Sequence, residues 1–344
     1  MLIDDWRRKE LMNSNKICFS RCASHLVAAL LTTFAIGFGA GPNAAAQDRQ
    51  AIAGTSVSLV APNGFTPATG FAGLANQTTQ ASVLIMEMPA VAHPQLVPLF
   101  SDMATAKTNF AKQNITIDRI DDVALTGGDK APVISGTQTA GGARLDKWIG
   151  LFKGEKTVMV TVQAPKAAAL GHATVLALMS SVSLGKEPTL AERLAALPFT
   201  LTAAEPFRVI DTIAGSGVLM TAGELNTDPA GKQPLLIVAY QLSVPAAAST
   251  LEATAEATLR QTRDYRTAKI TARERIRFAG ADGVLLSGTF DHANGTTKRF
   301  VQYMAFDPKG RFVRLIASAD DVSFEKLQPT IAAIAGSVAF AAGK

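Results

Sequence analysis

The chain has 344 residues, of which 48% are hydrophobic and 18% charged, and its formal net charge is +5. This composition is typical of globular domains, and the length predicts two or three of them. From Asp48 onward, 28 Lys and Arg residues stand against 25 Asp and Glu. That balance is too even to indicate a nucleic-acid-binding protein, so we expect no nucleic-acid partner.

The N-terminal segment has the pattern of a secretory signal peptide. Lys16 and Arg21 precede an apolar run of 13 residues, Leu26–Phe38, and small residues ending at Ala46 follow. A basic start, a short apolar middle and a small-residue end are typical of export signals. As a helix the run would span roughly 20 Å, which is shorter than the ~30 Å hydrocarbon core of a membrane. We therefore predict a signal peptide over residues 1–46 and cleavage after Ala46, with an uncleaved anchor as the alternative.

Cysteine positions agree with export. Both cysteines, Cys18 and Cys22, precede the apolar run, so the cleaved chain would have none. We predict a periplasmic or secreted protein without disulfides, lipid anchor or transmembrane segment after cleavage. Met1 and Met12 are both candidate start residues.

An internal repeat organises the remainder of the chain. The segment Val133–Thr137 recurs as Leu285–Thr289 152 positions later, and Trp148 falls on Phe300 at the same offset. Farther upstream, an apolar pattern recurs at an offset of 142, with Val57, Leu59 and Phe65 matching Phe199, Leu201 and Phe207. We predict two tandem copies of one domain, over 47–185 and 198–344, separated by a linker over 186–197.

The predicted elements follow the same order in both copies. Thr189 and Glu192 in the linker form a capping box that opens one short helix. In copy one we predict strands over 57–61, 82–88, 115–125, 132–138, 147–152 and 157–163, and helices over 94–113 and 167–183. In copy two we predict strands over 199–202, 235–242, 270–278, 284–290, 298–306 and 312–317, and helices over 246–265 and within 322–337.

This element order resembles the PsbP-like fold. Two strands, a helix, a four-strand antiparallel meander and a closing helix recur in each copy, with the Ser-Gly-Thr strand as a shared marker. The predicted fold class is therefore α/β (an α+β sandwich), with a mostly antiparallel sheet and two helices per copy. The resemblance, which extends to DcrB-type periplasmic proteins, implies an accessory or partner-binding role without catalysis. It carries no functional residue over to this chain.

Candidate catalytic and metal-binding residues are sparse. The three histidines after the leader, His93, His172 and His292, show no metal-ligand spacing, so we predict no metal and no cofactor. Ser135 and Ser287 recur, but no base accompanies them in a nucleophile motif, and small residues also fit where a strand passes beneath a helix. We predict no catalytic residue.

One cluster of charge stands out. Between residues 260 and 277 seven basic residues stand against two acids, and strand periodicity places Arg273, Arg275 and Arg277 on one face. A solvated strand face is one interpretation. The other is an anion- or partner-binding site, for which the planar guanidinium is well suited.

These observations favour an exported binding or scaffold protein of the bacterial cell envelope, which acts through contacts with an envelope protein partner and is not an enzyme. Two alternatives stay open: a periplasmic hydrolase with a site between the two domains, and a protein that binds small anions or lipid headgroups.

Overall fold

The computed structural model describes residues 49–140, 143–228, 230–241, 250–292, 295–306 and 312–341. The predicted signal peptide lies outside the described residues.

The first half of the described chain contains ten strands, three α-helices and one short 3-10 helix, Lys166–Ala168. In chain order the strands and α-helices are β1 (Arg49–Ala51), β2 (Val57–Val60), β3 (Thr66–Pro67), β4 (Gly73–Asn76), β5 (Ala81–Pro89), α1 (Ala92–Ser101), α2 (Met103–Ala111), β6 (Ile115–Ala124), β7 (Lys130–Ala140), β8 (Ala143–Lys153), β9 (Lys156–Pro165), α3 (His172–Ser180) and β10 (Ser183–Leu184).

A short helix, α4 (Leu190–Ala195), leads into the second half, and the predicted capping box of Thr189 and Glu192 is present at its start. The elements that follow are β11 (Phe199–Thr200), β12 (Arg208–Ile213), β13 (Gly217–Thr221), β14 (Leu235–Gln241), α5 (Leu251–Gln261), β15 (Lys269–Phe278), β16 (Ala281–Asp291), β17 (Thr297–Phe306), β18 (Phe312–Ala319), α6 (Asp321–Ser337) and β19 (Ala339–Phe340).

Two seven-stranded antiparallel sheets share one topology. The strand order is β3-β4-β5-β9-β8-β7-β6 in the first and β12-β13-β14-β18-β17-β16-β15 in the second, which is the same order element by element. Hydrophobic side chains pack on both faces of each sheet, under α1 and α2 or α5 on one face and under α3 or α6 on the other. The chain thus forms two similar domains, each with an antiparallel sheet between helices, which confirms the predicted α/β fold class.

Four strands of the main sheets were absent from the prediction. β3, β4, β12 and β13 have two to six residues each and show no alternation of buried and exposed positions. The first predicted strand of each copy does form, but it lies outside the main sheet. β2 pairs with β10, and β11 pairs with β19. Both pairings join the start of a domain to the segment after its last helix.

The predicted helix over 94–113 is two helices. The Asp102 side chain accepts a hydrogen bond from the Thr105 backbone N–H at 2.7 Å and thereby caps α2. Asp102 itself has an extended backbone, so α1 ends before it. An aspartate that can cap a helix marks the start of a second helix within the apolar pattern. A prediction from hydrophobic periodicity alone does not detect it.

The recurring Ser-Gly-Thr segment has a structural cause. β6 and β15 each carry a bulge opposite the glycine of the neighbouring strand, where Ile117 pairs with Gly136 and Ile270 with Gly288. A Cβ atom on Gly136 would lie 1.8 Å from the Thr116 carbonyl oxygen, and one on Gly288 would lie 2.0 Å from that of Lys269. The glycines are required because the bulged backbone approaches them, which explains the recurrence without catalysis.

Strand register corrects one detail of the sequence repeat. Gly136 pairs with Lys147, whereas Gly288 pairs with Phe300, so the offset between the copies changes to 153 in this strand. Trp148 therefore corresponds to Val301 and not to Phe300. The two aromatic residues point to opposite faces of their sheets, since Trp148 packs toward α3 and Phe300 packs toward α5.

Candidate functional site

The predicted arginine row lies on a terminal strand. β15 pairs with β16 on one side, and no other strand of the described chain pairs with its second side. The side chains of Arg273, Arg275 and Arg277 are 45%, 75% and 69% exposed. The three arginines are therefore exposed on one face of β15, as predicted. The helix α5 packs on this same face of the sheet.

Each arginine of the row contacts a carboxylate of its own domain. Arg273 Nη2 lies 2.8 Å from Glu256 Oε2, and Arg275 Nε lies 2.6 Å from Glu252 Oε1, both on α5. Arg277 Nη1 lies 2.8 Å from Asp282 Oδ1. The hydrogen bond from Arg273, with a second one from Arg260, holds the pKa of Glu256 below its ordinary value. The row is therefore an ionic ladder along the edge of the sheet rather than a bare patch of positive charge.

A second polar cluster lies where the two domains meet. Glu187 Oε1 lies 2.6 Å from both Lys156 Nζ of β9 and Arg193 Nη1 of α4. Arg193 Nη2 also lies 3.0 Å from Asp211 Oδ1 of β12. The hydrogen bond from Lys156 is the main cause that lowers the pKa of Glu187. The cluster connects the first sheet, the linker helix and the second sheet through charged groups.

Two small cavities adjoin this junction. One, of about 110 Å³, has a lining of mostly small and apolar residues that includes Ile52, Phe71 and Pro198. The other, of about 30 Å³, lies beside Glu87, Lys156 and Arg193. Pockets for substrates usually have volumes of about 300–1,000 Å³. Among the described residues, neither lining includes a histidine, and the junction brings no serine, histidine and acid together.

Of the other predicted candidates, His172 and Ser135 both lie next to Trp148 of β8 in the first domain, where Ser135 is the cross-strand partner of Trp148. Trp148 Nε1 donates a hydrogen bond to His172 Nδ1 at 2.9 Å, and His172 Nε2 lies 3.2 Å from Asp121 Oδ2. His172 is thus a packing residue that joins α3 to the first sheet. Ser135 is buried in β7. The described part of the chain contains no group of three or more potential metal ligands.

The sequence analysis did not identify Lys147, which is buried, or Arg314, which is partly buried. Lys147 of β8 is 1% exposed, and its Nζ atom donates a hydrogen bond to Gln138 Oε1 at 2.5 Å. Burial lowers the pKa of Lys147 to about 7. Arg314 lies in β18 between Val313 and Leu315, both of which are fully buried. Arg314 is the single charged residue of an apolar strand, which was an available signal. The strand of Lys147 also contains Arg144, Asp146 and Lys153, so its sequence gives no such signal.

Comparisons with known proteins show likenesses at the level of solved structures. No family model and no curated protein matches the chain. LpqN of Mycobacterium tuberculosis, involved in cell envelope biogenesis, is 16% identical over 41% of this chain and 82% of its own, with a TM-score of 0.32. Cyanobacterial PsbP (CyanoP) of Synechocystis is 10% identical over 42% of this chain and 82% of its own, with a TM-score of 0.28.

A third likeness extends over most of the chain. TplEi, an immunity protein of the type VI secretion system of Pseudomonas aeruginosa, is 9% identical over 85% of this chain and 96% of its own, with a TM-score of 0.30. Within the described residues, no helix has the length and apolar character needed to cross a membrane.

Proposed function

We propose that this chain is an exported binding or scaffold protein of the bacterial cell envelope, that it is not an enzyme, and that Arg273, Arg275 and Arg277 contact an acidic envelope protein. The observation that carries the proposal is the exposed arginine row on a strand whose outer side has no strand partner. A terminal strand is a template for contact with another chain.

The ion pairs of the row are compatible with such a contact. Ion pairs between exposed side chains contribute little to stability, because water and salt screen them. Carboxylates of a partner can therefore replace those of Glu252, Glu256 and Asp282 at small cost. A guanidinium suits this exchange because it binds a carboxylate through two parallel N–H groups.

The test replaces Arg273, Arg275 and Arg277 together with serine. We expect the thermal midpoint to fall by no more than about 4 °C, since all three pairs are exposed. Recovery of envelope partners in a pull-down with the mature protein should drop, and the remaining binding should lose most of its salt dependence.

A matched control replaces Lys107, Lys112 and Arg144, three exposed basic residues of the first domain, with serine. This variant removes the same charge and should retain the partners. Equal recovery by the wild type and both variants at low and high salt would contradict the proposed role of the row.

A separate experiment tests the predicted export and cleavage. N-terminal sequencing of protein from envelope fractions should find a chain that begins at or next to Gln47. Full-length protein recovered from the cytoplasm would contradict this part of the proposal.

A further inference from the structure

One partly buried arginine of the second domain, Arg314, has no anionic partner among the described residues. The Nη1 atom of Arg314 donates a hydrogen bond to Thr262 Oγ1 at 2.9 Å, at the C-terminal end of α5. Its Nε and Nη2 atoms are inaccessible to solvent and have no hydrogen-bond acceptor. Buried donors without acceptors are rare in proteins, and an unseen ion or water is a common cause.

Arg314 contacts the C-terminal end of α5 but forms no ion pair with any described residue. No carboxylate of the described chain lies within 4.0 Å of its guanidinium, in contrast to the three arginines of β15. The titratable side chain that acts on it is Tyr265, and burial raises the pKa of that phenol to about 12, so Tyr265 is neutral at pH 7. Burial lowers the pKa of Arg314 to about 10, which leaves it charged at neutral pH. Guanidinium N–H groups that are shielded from water and have neither an acceptor nor a counter-ion are unfavourable.

The fold does not require this arginine. Strand register places Arg314 opposite Met304, and the equivalent residue of the first domain is Met159, opposite Leu151. Met159 packs among apolar side chains beneath α1 and α2. The second domain therefore has a charge where the first has a thioether, and the difference indicates a property of this domain alone.

We propose that Arg314 binds a small monovalent anion, such as a carboxylate, nitrate or halide, in the layer between α5 and the second sheet. The Nε and Nη2 atoms form the edge of the guanidinium that presents two parallel N–H groups, which is the geometry that a planar oxyanion accepts. Both atoms are inaccessible to solvent in the structure, so only a ligand of a few atoms can be accommodated beside them.

The first test compares thermal midpoints of the intact two-domain chain in sodium gluconate, chloride, nitrate and formate at equal ionic strength. Gluconate is much larger than the other three anions and should not reach the shielded N–H groups of Arg314, so the small anions should raise the wild-type midpoint by about 3 °C relative to it. Arg314→Met should remove this difference. Any dependence on the anion that remains in this variant measures the general effect of the salts on stability. Arg275→Met, which changes an exposed and paired arginine, should respond as the wild type does.

The second test needs no variant. Crystals of the wild type grown or soaked in bromide should show an anomalous peak beside Arg314 Nη2. Midpoints that do not depend on the anion, or an equal dependence in Arg314→Met, would overturn the proposal. So would density for a water that bridges Arg314 to Gln302 Oε1, a buried acceptor on the same face that also lacks a partner.

Discussion

The residue whose burial is least expected is Lys147. It lies on the same side of β8 as Ile149 and Leu151, beneath α1 and α2, and the Gln138 amide oxygen accepts its hydrogen bond. The Gln138 amide group in turn donates to the Gln113 carbonyl oxygen at 3.0 Å. Desolvation disfavours the ammonium form, and this lowers the pKa of Lys147 to about 7.

Because Lys147 is buried, we predict that Lys147→Met raises the free energy of unfolding by an amount that depends on pH. The folded-state pKa of about 7 lies below the ordinary value of 10.5, so between these pH values the unfolded chain binds a proton that the folded chain lacks. Wild-type stability should therefore rise with pH across this window. Lys147→Met should be more stable than the wild type by over ~1 kcal/mol at pH 6, and the gain should shrink toward pH 10.

Urea unfolding at pH 6, 8 and 10 measures this effect through the fluorescence of Trp148. Lys153→Met, at the exposed end of the same strand, is the control and should show no such trend. A gain from Lys147→Met that is equal at all three pH values would show that Lys147 is not buried as a cation.

At the scale of elements, the paired bulges predict that the two copies respond alike to one substitution. Gly136→Ala and Gly288→Ala each place a methyl group against a backbone carbonyl, which cannot move without breaking the strand pairing. Each change should cost roughly 2 kcal/mol or more. Gly336→Ala, near the end of α6 with no atom within 4 Å of the added Cβ, should be neutral or slightly stabilising.

Chemical denaturation of the three variants measures these costs. A small effect at one bulge and a large effect at the other would contradict the equivalence of the two strands. It would also weaken the prediction that the copies arose by tandem duplication.

For the whole molecule, we predict that fragments 48–185 and 198–344 fold independently. Each would contain a complete seven-stranded sheet with hydrophobic clusters on both faces. The ion pairs of the junction join Arg193, whose side chain is 11% exposed, to Glu187 and Asp211, whose side chains are 36% and 45% exposed. Because both carboxylates remain in contact with water, we expect these pairs to contribute less to stability than the two hydrophobic cores.

Calorimetry of the two fragments should show one cooperative transition for each. If either fragment were soluble only in the presence of the other, the predicted boundary at the linker would be wrong, and one merged core would take the place of two.

The sequence alone determined the longer elements, their order and the capping box at Thr189. Such features depend on residues close together along the chain, where periodicity and caps are visible. The short strands β3, β4, β12 and β13 became clear only in the sheets, because strand pairing, and not local pattern, defines them.

Tertiary structure alone decided the state of the charged residues. Arg273 contacts Glu256 across 17 positions, and Arg314 contacts Thr262 across 52. Such partners meet only when helices pack on the sheet. A count of charges along the chain therefore identifies the exposed row but does not identify Arg314, which is partly buried and forms no ion pair within the described chain. The physical reason is that burial and charge compensation are properties of a site in three dimensions, whereas helix and strand patterns are properties of neighbouring residues.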